Sequence, residues 1–179
     1  YTNCTTESEC EVTILKCEHL INPLGVDSST PRFTWQMKSS KIGAEQIAFE
    51  IIVGTDSLEV ANGKGDSWVS GKLETGISII SYSGKNLTPF TKYFWTVRIW
   101  DNNNVPTRLA PIAFFETGMM DSKNWKGDWI SDSRDTEIKP APYFRKEFNV
   151  SDNIKSARVY IAVGGLYELY LNGKKIGTR

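Results

Sequence analysis

Residues 87–100, LTPFTKYFWTVRIW, decide the fold. Within them Tyr93, Trp95, Val97 and Ile99 fall on one side of an extended chain, while Thr96 and Arg98 fall on the other. That is the period of two of a strand buried on one face. The lead-in Leu87-x-Pro89-x-Thr91-x-Tyr93 sets a tyrosine at the start of this strand, just after a turn. Such a tyrosine packs its ring inward and bonds its hydroxyl back to loop backbone, the tyrosine corner of β-sandwiches.

The same alternation recurs on both sides of this strand. PRFTWQM (31–37) places Phe33, Trp35 and Met37 together, and QIAFEIIV (46–53) does so for Ile47, Phe49, Ile51 and Val53. EVTILKCEHL (11–20) holds a strand around Val12, Thr13, Ile14 and Leu15 whose faces do not separate. SWVSG, GISIIS with Ile77 and Ile79, and IAFFET supply further short strands, with turn residues between them. About seven strands before Thr117, with Trp35 and Trp95 as core bulk, predict a fibronectin type III/immunoglobulin-like β-sandwich over 1–117. Period 3.6 is almost absent, so the chain is read as all-β.

A Gly-, Asp- and Trp-rich connector comes next at 118–128, where Asp121 or Ser122 is placed to cap one helical turn and Gly127 to stop it. Trp125 and Trp129 are expected to wedge two modules together; a sugar platform is the competing role. Beyond lie alternating stretches, APYFRKEF (141–148) and SARVYIAVGG (156–165). After them comes a hairpin, YELYLNGKKIG, with Asn172 and Gly173 in the turn positions that tolerate positive φ. Residues 129–179 are few for an independent domain and resemble the front of a larger sandwich. Its edges and apolar face would invite pairing.

Composition excludes several functions. The 179 residues carry 21 Lys+Arg against 21 Asp+Glu, so no global charge draws the chain to nucleic acid or anionic lipid. No stretch is apolar enough to insert in a membrane as a helix. A single histidine, His19, rules out a multi-histidine zinc site within the chain, and it has no identifiable catalytic partner. Cys4, Cys10 and Cys17 lack a CxxC spacing. They leave open one internal disulfide, or a buried Cys17 with the others as loose thiols. Glu7, Glu9 and Glu11 read as a solvated face, and Arg32, Arg98 and Arg145 as rim residues rather than a carboxylate clamp. GKGD (63–66) lacks the context of a phosphate loop and is read as a turn. Tyr82, Tyr160 and Tyr167 are surface candidates for stacking on sugar rings, weighed against cross-strand packing.

The ordered phrases INPLGVDSSTPRFTWQM, YFWTVRIWDNNNVPT, FFETGMMDSKNWKGDWI, APYFRKEF and LYELYLNGKKIG resemble successive landmarks of bacterial α-L-rhamnosidases. The resemblance spans about residues 12–177. It implies a large modular glycoside hydrolase, secreted or periplasmic, that removes terminal α-L-rhamnose with inversion. Its acid and base carboxylates would lie in a later (α/α)6 barrel. No position here matches either one, so no catalytic residue is carried over, and no cofactor is implied. The resemblance also implies that 129–179 are the N-terminal part of a jelly-roll domain that in some relatives binds rhamnose with calcium; Asp128 and Asp132 are read instead as solvated loop acids. Three roles compete. The first is a non-catalytic N-terminal piece partnered by the parent's (α/α)6 domain; the second is a module binding rhamnose-containing glycans; the third is a structural or adhesion protein self-associating through strand edges.

Overall fold

A computed structural model describes residues 8–134, 137, 141–151, 153–154 and 156–177. The chain divides into two compact units, Tyr1–Asp128 and Trp129–Arg179. Residues 118–128 thus fall inside the first unit.

The first unit is an all-β sandwich of two open sheets. Its elements are β1 (Cys10–Cys17), β2 (Leu24–Val26), β3 (Arg32–Ser39), β4 (Gln46–Gly54), α1 (Ser57–Ala61), β5 (Trp68–Val69), β6 (Ile79–Ser81), β7 (Lys92–Asp101) and β8 (Ala113–Thr117). One sheet runs β1-β3-β6, and the other runs β2-β8-β7-β4-β5. All pairings are antiparallel except β2 with β8, which run parallel. The inner faces meet in one core. Phe33 and Trp35 come from β3, Phe49, Ile51 and Val53 from β4, Tyr93, Trp95, Val97 and Ile99 from β7, and Phe115 from β8. Phe33 is the hub, with its ring centroid 4.6 Å from Trp95 and 5.6 Å from Phe115. Aromatic pairs of this kind add roughly 0.5–1.5 kcal/mol each beyond the area they bury.

Two bulges explain where simple alternation fails. In β1 the register with β3 shifts between Thr13 and Lys16, and Ile14 sits at φ 49°. An extra residue in one strand reverses the parity of every residue after it. Cys10 and Val12 therefore face inward before the bulge, and Leu15 and Cys17 after it. In β4 the shift lies between Gln46 and Ala48. Ile47 is the extra residue, half-buried rather than in the core row, and Gln46 turns inward in its place. Gln46 Oε1 accepts a hydrogen bond from Trp35 Nε1 at 2.9 Å, and its amide nitrogen donates to the carbonyls of Ile77 at 3.2 Å and Thr75 at 3.3 Å. A buried indole N–H needs an acceptor, and the bulge delivers one. The other core indole, Trp95 Nε1, has no hydrogen-bond partner among the described residues.

Thr96 corrects another expectation. It lies on the outer face of its sheet, yet is fully buried, with its hydroxyl donating to Ala110 O at 2.7 Å. α1 packs against β4 and β7 and buries Val60. This helix, not anticipated in a turn-rich stretch, starts at Asp56, whose Oδ1 accepts from Leu58 N and Glu59 N at 2.8 and 3.1 Å. The GISIIS strand begins only at Ile79, and Ile77 stays exposed outside it. Tyr82 is buried rather than a surface aromatic. It packs edge-on to Trp68 and donates its hydroxyl to Lys85 O at 2.7 Å, and burial pushes its phenol up to about 12.

In the second unit only the hairpin β9 (Leu169–Leu171) and β10 (Lys174–Ile176) forms a ladder among the described residues. Asn172 at φ 50° and Gly173 at φ 77° make its turn. The strands expected at 141–148 and within 156–165 are not formed. A strand exists only with a hydrogen-bonded neighbour, and neither stretch has one among the described residues.

This packing has two measurable consequences. Gln46→Leu, although more apolar, lowers unfolding free energy in urea by about 2 kcal/mol, because it strands the Trp35 indole and two carbonyls. Asp101, at the end of β7, is buried, which by itself would raise its carboxyl. Hydrogen bonds from Ser8 Oγ, Val105 N and Asn103 N, with nearby Lys41, outweigh burial and hold it below its ordinary value of 3.8. Its stabilisation is therefore complete above 3.8 and is lost as pH falls through the lower folded value. Asp101→Asn removes that acid-dependent part, so the stability difference between the two proteins narrows on acidification in parallel urea titrations.

Candidate functional site

The candidate site is the end of the sandwich where the chain leaves β8. Tyr93 opens β7 with its ring stacked on Phe115 at 5.3 Å, and its hydroxyl accepts from Thr88 N at 2.8 Å. Thr117, at the end of β8, ties the same loop from the other side. Its hydroxyl donates to Thr88 O at 2.6 Å and accepts from Thr91 N at 2.9 Å. Thr117 N donates to Thr91 O, and Phe90 N to Gly118 O. The corner and the last strand are thus locked to each other.

A second set of bonds holds the connector as it emerges. Gly118 N donates to Val26 O at 3.0 Å, and Met120 N donates to Asp27 Oδ1 at 2.7 Å. A Cβ at Gly118 would stand 2.6 Å from that Asp27 oxygen, so the close approach requires glycine. Met120 at φ 62° then turns the chain. A single 3-10 turn over Ser122–Asn124 comes next, with Asp121 Oδ1 accepting from Lys123 N at 2.9 Å, and Asn124 Nδ2 donates back to Met119 O at 2.8 Å. Trp125 closes the turn, half-buried, with its indole against Gly127. What this arrangement does is mechanical: it fixes the direction in which the chain leaves the sandwich.

The other residues singled out in the sequence are dispersed. Trp35 and Trp95 are core residues, and Trp129, opening the second unit, is 79% exposed. His19 is exposed, as are Glu9 and Glu11; Glu7 and Cys4 lie outside the described residues. Cys10 and Cys17 are both free and buried, and burial, reinforced by Glu18, pushes the Cys17 thiol up to about 12. Cys10 is thus a core residue rather than a loose thiol. The three arginines are not brought together. Arg32 pairs with Glu18 at 3.2 Å, Arg98 with Glu50 at 2.5 Å, and Arg145 with Glu147. Asp132 is bound by Arg134 Nη2 at 2.5 Å, and that hydrogen bond holds its carboxyl below the usual range. Asp128 is exposed. Among the described residues no group of three or more His, Cys, Asp or Glu is placed to share a metal ion. Tyr160 and Tyr167 are exposed, while the GKGD stretch follows α1, with Gly63 completing the turn that ends the helix and 64–66 irregular.

Sequence reasoning missed Asp27, Thr117 and Gln46, which act through bonds across long separations. The inward Trp35 did carry a signal, since its N–H demanded an acceptor.

With this geometry in hand, comparison with known proteins is specific. The family described as Rha78A-like, N-terminal immunoglobulin domain matches residues 12–121. An α-L-rhamnosidase of Alteromonas sp. (strain LOR) is 34% identical over 170 residues, covering 89% of this chain and 18% of that protein. One from Formosa agariphila is 31% identical over 179 residues, covering 87% and 19% respectively. Among solved structures, α-L-rhamnosidase from Dictyoglumus thermophilum aligns with a TM-score of 0.66 at 37% identity, over 68% of this chain and 14% of that one. Streptomyces avermitilis α-L-rhamnosidase, complexed with L-rhamnose, aligns with a TM-score of 0.65 at 34% identity, over 68% and 12%. The chain therefore spans less than a fifth of the length of these relatives. It belongs to the family of Rha78A-like, N-terminal immunoglobulin domains.

Proposed function

We propose that this chain is the non-catalytic N-terminal part of a bacterial α-L-rhamnosidase, an inverting glycoside hydrolase acting on terminal α-L-rhamnose outside the cytoplasm. The observation that carries the reading is the alignment with proteins named α-L-rhamnosidase over nearly all of this chain but under a fifth of theirs. In this reading residues 1–117 are the fibronectin type III-like domain, 118–128 the connector, and 129–179 the front of a jelly-roll domain. The partner is an (α/α)6 catalytic domain in the same polypeptide, which holds the paired carboxylates that hydrolysis requires.

The contribution of the first unit is then positional. A domain that carries no reacting group still affects catalysis if it sets the orientation of the next domain, and the Asp27–Met120 and Thr117–Thr91 bonds supply a fixed exit. Trp125, half-buried against Gly127, and Trp129, exposed, are the large apolar side chains that flank the boundary between the modules in sequence.

Two measurements test this function. The purified chain releases no phenol from an aryl α-L-rhamnoside under conditions in which a full-length relative does; release at an enzymatic rate overturns the reading. Asp27→Ala leaves the urea midpoint of the sandwich nearly unchanged, because the bond lies at an exposed end. It accelerates proteolytic cleavage within 119–126 several-fold, since the freed Met120 amide no longer anchors the connector. Equal cleavage rates count against a clasp.

A further inference from the structure

Two Asn-Gly dipeptides occur in the chain, Asn62-Gly63 and Asn172-Gly173. Glycine after asparagine gives the pair a chemistry of its own. With no Cβ on the following residue, its backbone nitrogen can swing onto the asparagine side-chain amide and close a five-membered ring. Whether it does so depends on what holds that nitrogen, and here the two sites differ.

At the first site the nitrogen is held. Asn62 caps the C-terminal end of α1, and its N–H is shared between the carbonyls of Leu58 and Glu59, each at 3.1 Å. Gly63 N donates to Val60 O at 3.0 Å, and Val60 is fully buried in a helix packed on β4 and β7. Freeing the Gly63 nitrogen means opening the end of a helix anchored in the first unit.

At the second site nothing holds it. The ladder of β9 and β10 closes on Leu171 and Lys174, so the two turn residues lie outside it, and Gly173 N donates no hydrogen bond among the described residues. Asn172 and Gly173 are exposed, and a Cβ at Gly173 would meet nothing within 4 Å. No ladder bond holds the peptide between Asn172 and Gly173, so it rotates while both strands stay paired. The unbonded nitrogen and the free peptide belong to the two-residue turn itself, whatever neighbours its strands have.

We infer that Asn172 is a site of spontaneous deamidation, converting to isoaspartate and aspartate, while Asn62 in the same dipeptide stays intact. Gly173 N loses its proton to hydroxide and attacks Asn172 Cγ. The new C–N bond closes a succinimide, and the side-chain nitrogen takes up a proton and leaves as ammonia. Water then opens the ring at either carbonyl, giving aspartate or an isoaspartate whose main chain runs through Cβ. No electrons are exchanged. Both products put a negative charge at the hairpin tip, and isoaspartate adds a backbone atom to a turn whose length sets the strand register. This goes beyond the rhamnosidase reading and does not depend on it.

Comparing the two sites tests the inference. The 179-residue chain is incubated in mildly alkaline buffer, then digested at acid pH, which halts the reaction, and mapped by mass spectrometry. The peptide holding Asn172 gains about 1 Da and becomes a substrate for isoaspartyl methyltransferase. It does so at least about tenfold faster than the peptide holding Asn62. In concentrated urea α1 is open, and the two sites react at nearly equal rates. Gly173→Ala slows the reaction at position 172 about tenfold and leaves the thermal transition of the first unit unchanged. Comparable rates at the two sites in the folded protein overturn the inference, as does a rate at position 172 that Gly173→Ala leaves unchanged. An advantage of Asn172 that persists in urea also overturns it, because the cause would then lie in the flanking residues and not in the hydrogen bonds.

Discussion

The contact between Phe33 and Trp95, 4.6 Å between centroids, is the interaction on which the first unit depends. It is where β3 of one sheet meets β7 of the other, and no residue nearby in sequence can substitute for it. Phe33 also reaches Tyr82, just after β6, and Phe115 in β8, so segments far apart in the sequence meet at this ring. Tyr93 stacks on Phe115, and its hydroxyl fixes the loop that Thr117 grips. The exit of the connector is thus continuous with the core: a displaced Phe33 would shift Phe115, then the corner, then the clasp at Asp27.

That continuity shows what the sequence made legible. Alternation placed β3 and β7 correctly, because the inner face of each is apolar at every second position. The tyrosine corner was legible because all of its parts lie within Leu87–Tyr93. Reading failed wherever a residue answers to something distant. The β1 bulge at Ile14 reverses parity within the strand, so no single face could be assigned to Val12, Thr13, Ile14 and Leu15. Gln46 is inward because Trp35 needs an acceptor, and Ile47 is displaced in consequence. Thr96 obeyed its parity and was nevertheless buried, since Ala110 and its loop fold over that face. At the candidate site, Asp27 and Met120 are joined across 93 positions. Nothing in the local pattern of either residue announces the other.

The second unit marks the limit of pattern. Residues 157–163 alternate as plainly as β7 does, with Ala157, Val159, Ile161 and Val163 on one side, yet among the described residues of the second unit only the hairpin closes, because Asn172-Gly173 brings its two arms together locally. Sequence alternation specifies which face a strand would bury; it does not supply the surface that buries it. Tyr143, Phe148, Val159 and Leu166 remain exposed for that reason.

The distribution of charge and apolar surface then decides what kind of interaction this chain is built for. Every arginine among the described residues is already engaged: Arg32, Arg98, Arg134 and Arg145 with carboxylates, Arg158 with a carbonyl, and Arg108 with a partner of its own. Recruiting one to an anionic ligand would break an existing bond, so the exchange gains little. Unsatisfied apolar area is a different resource. It costs nothing to uncover, since it is exposed already, and its burial contributes roughly 25 cal/mol per Å². More of the exposed large apolar side chains lie from Trp129 onward than before it, while the sandwich holds Phe33, Trp35, Phe49, Tyr93, Trp95 and Phe115 in its own core. The first unit thus spends its aromatic side chains and its arginines on its own cohesion, which is what holding the Asp27–Met120 bond in place demands.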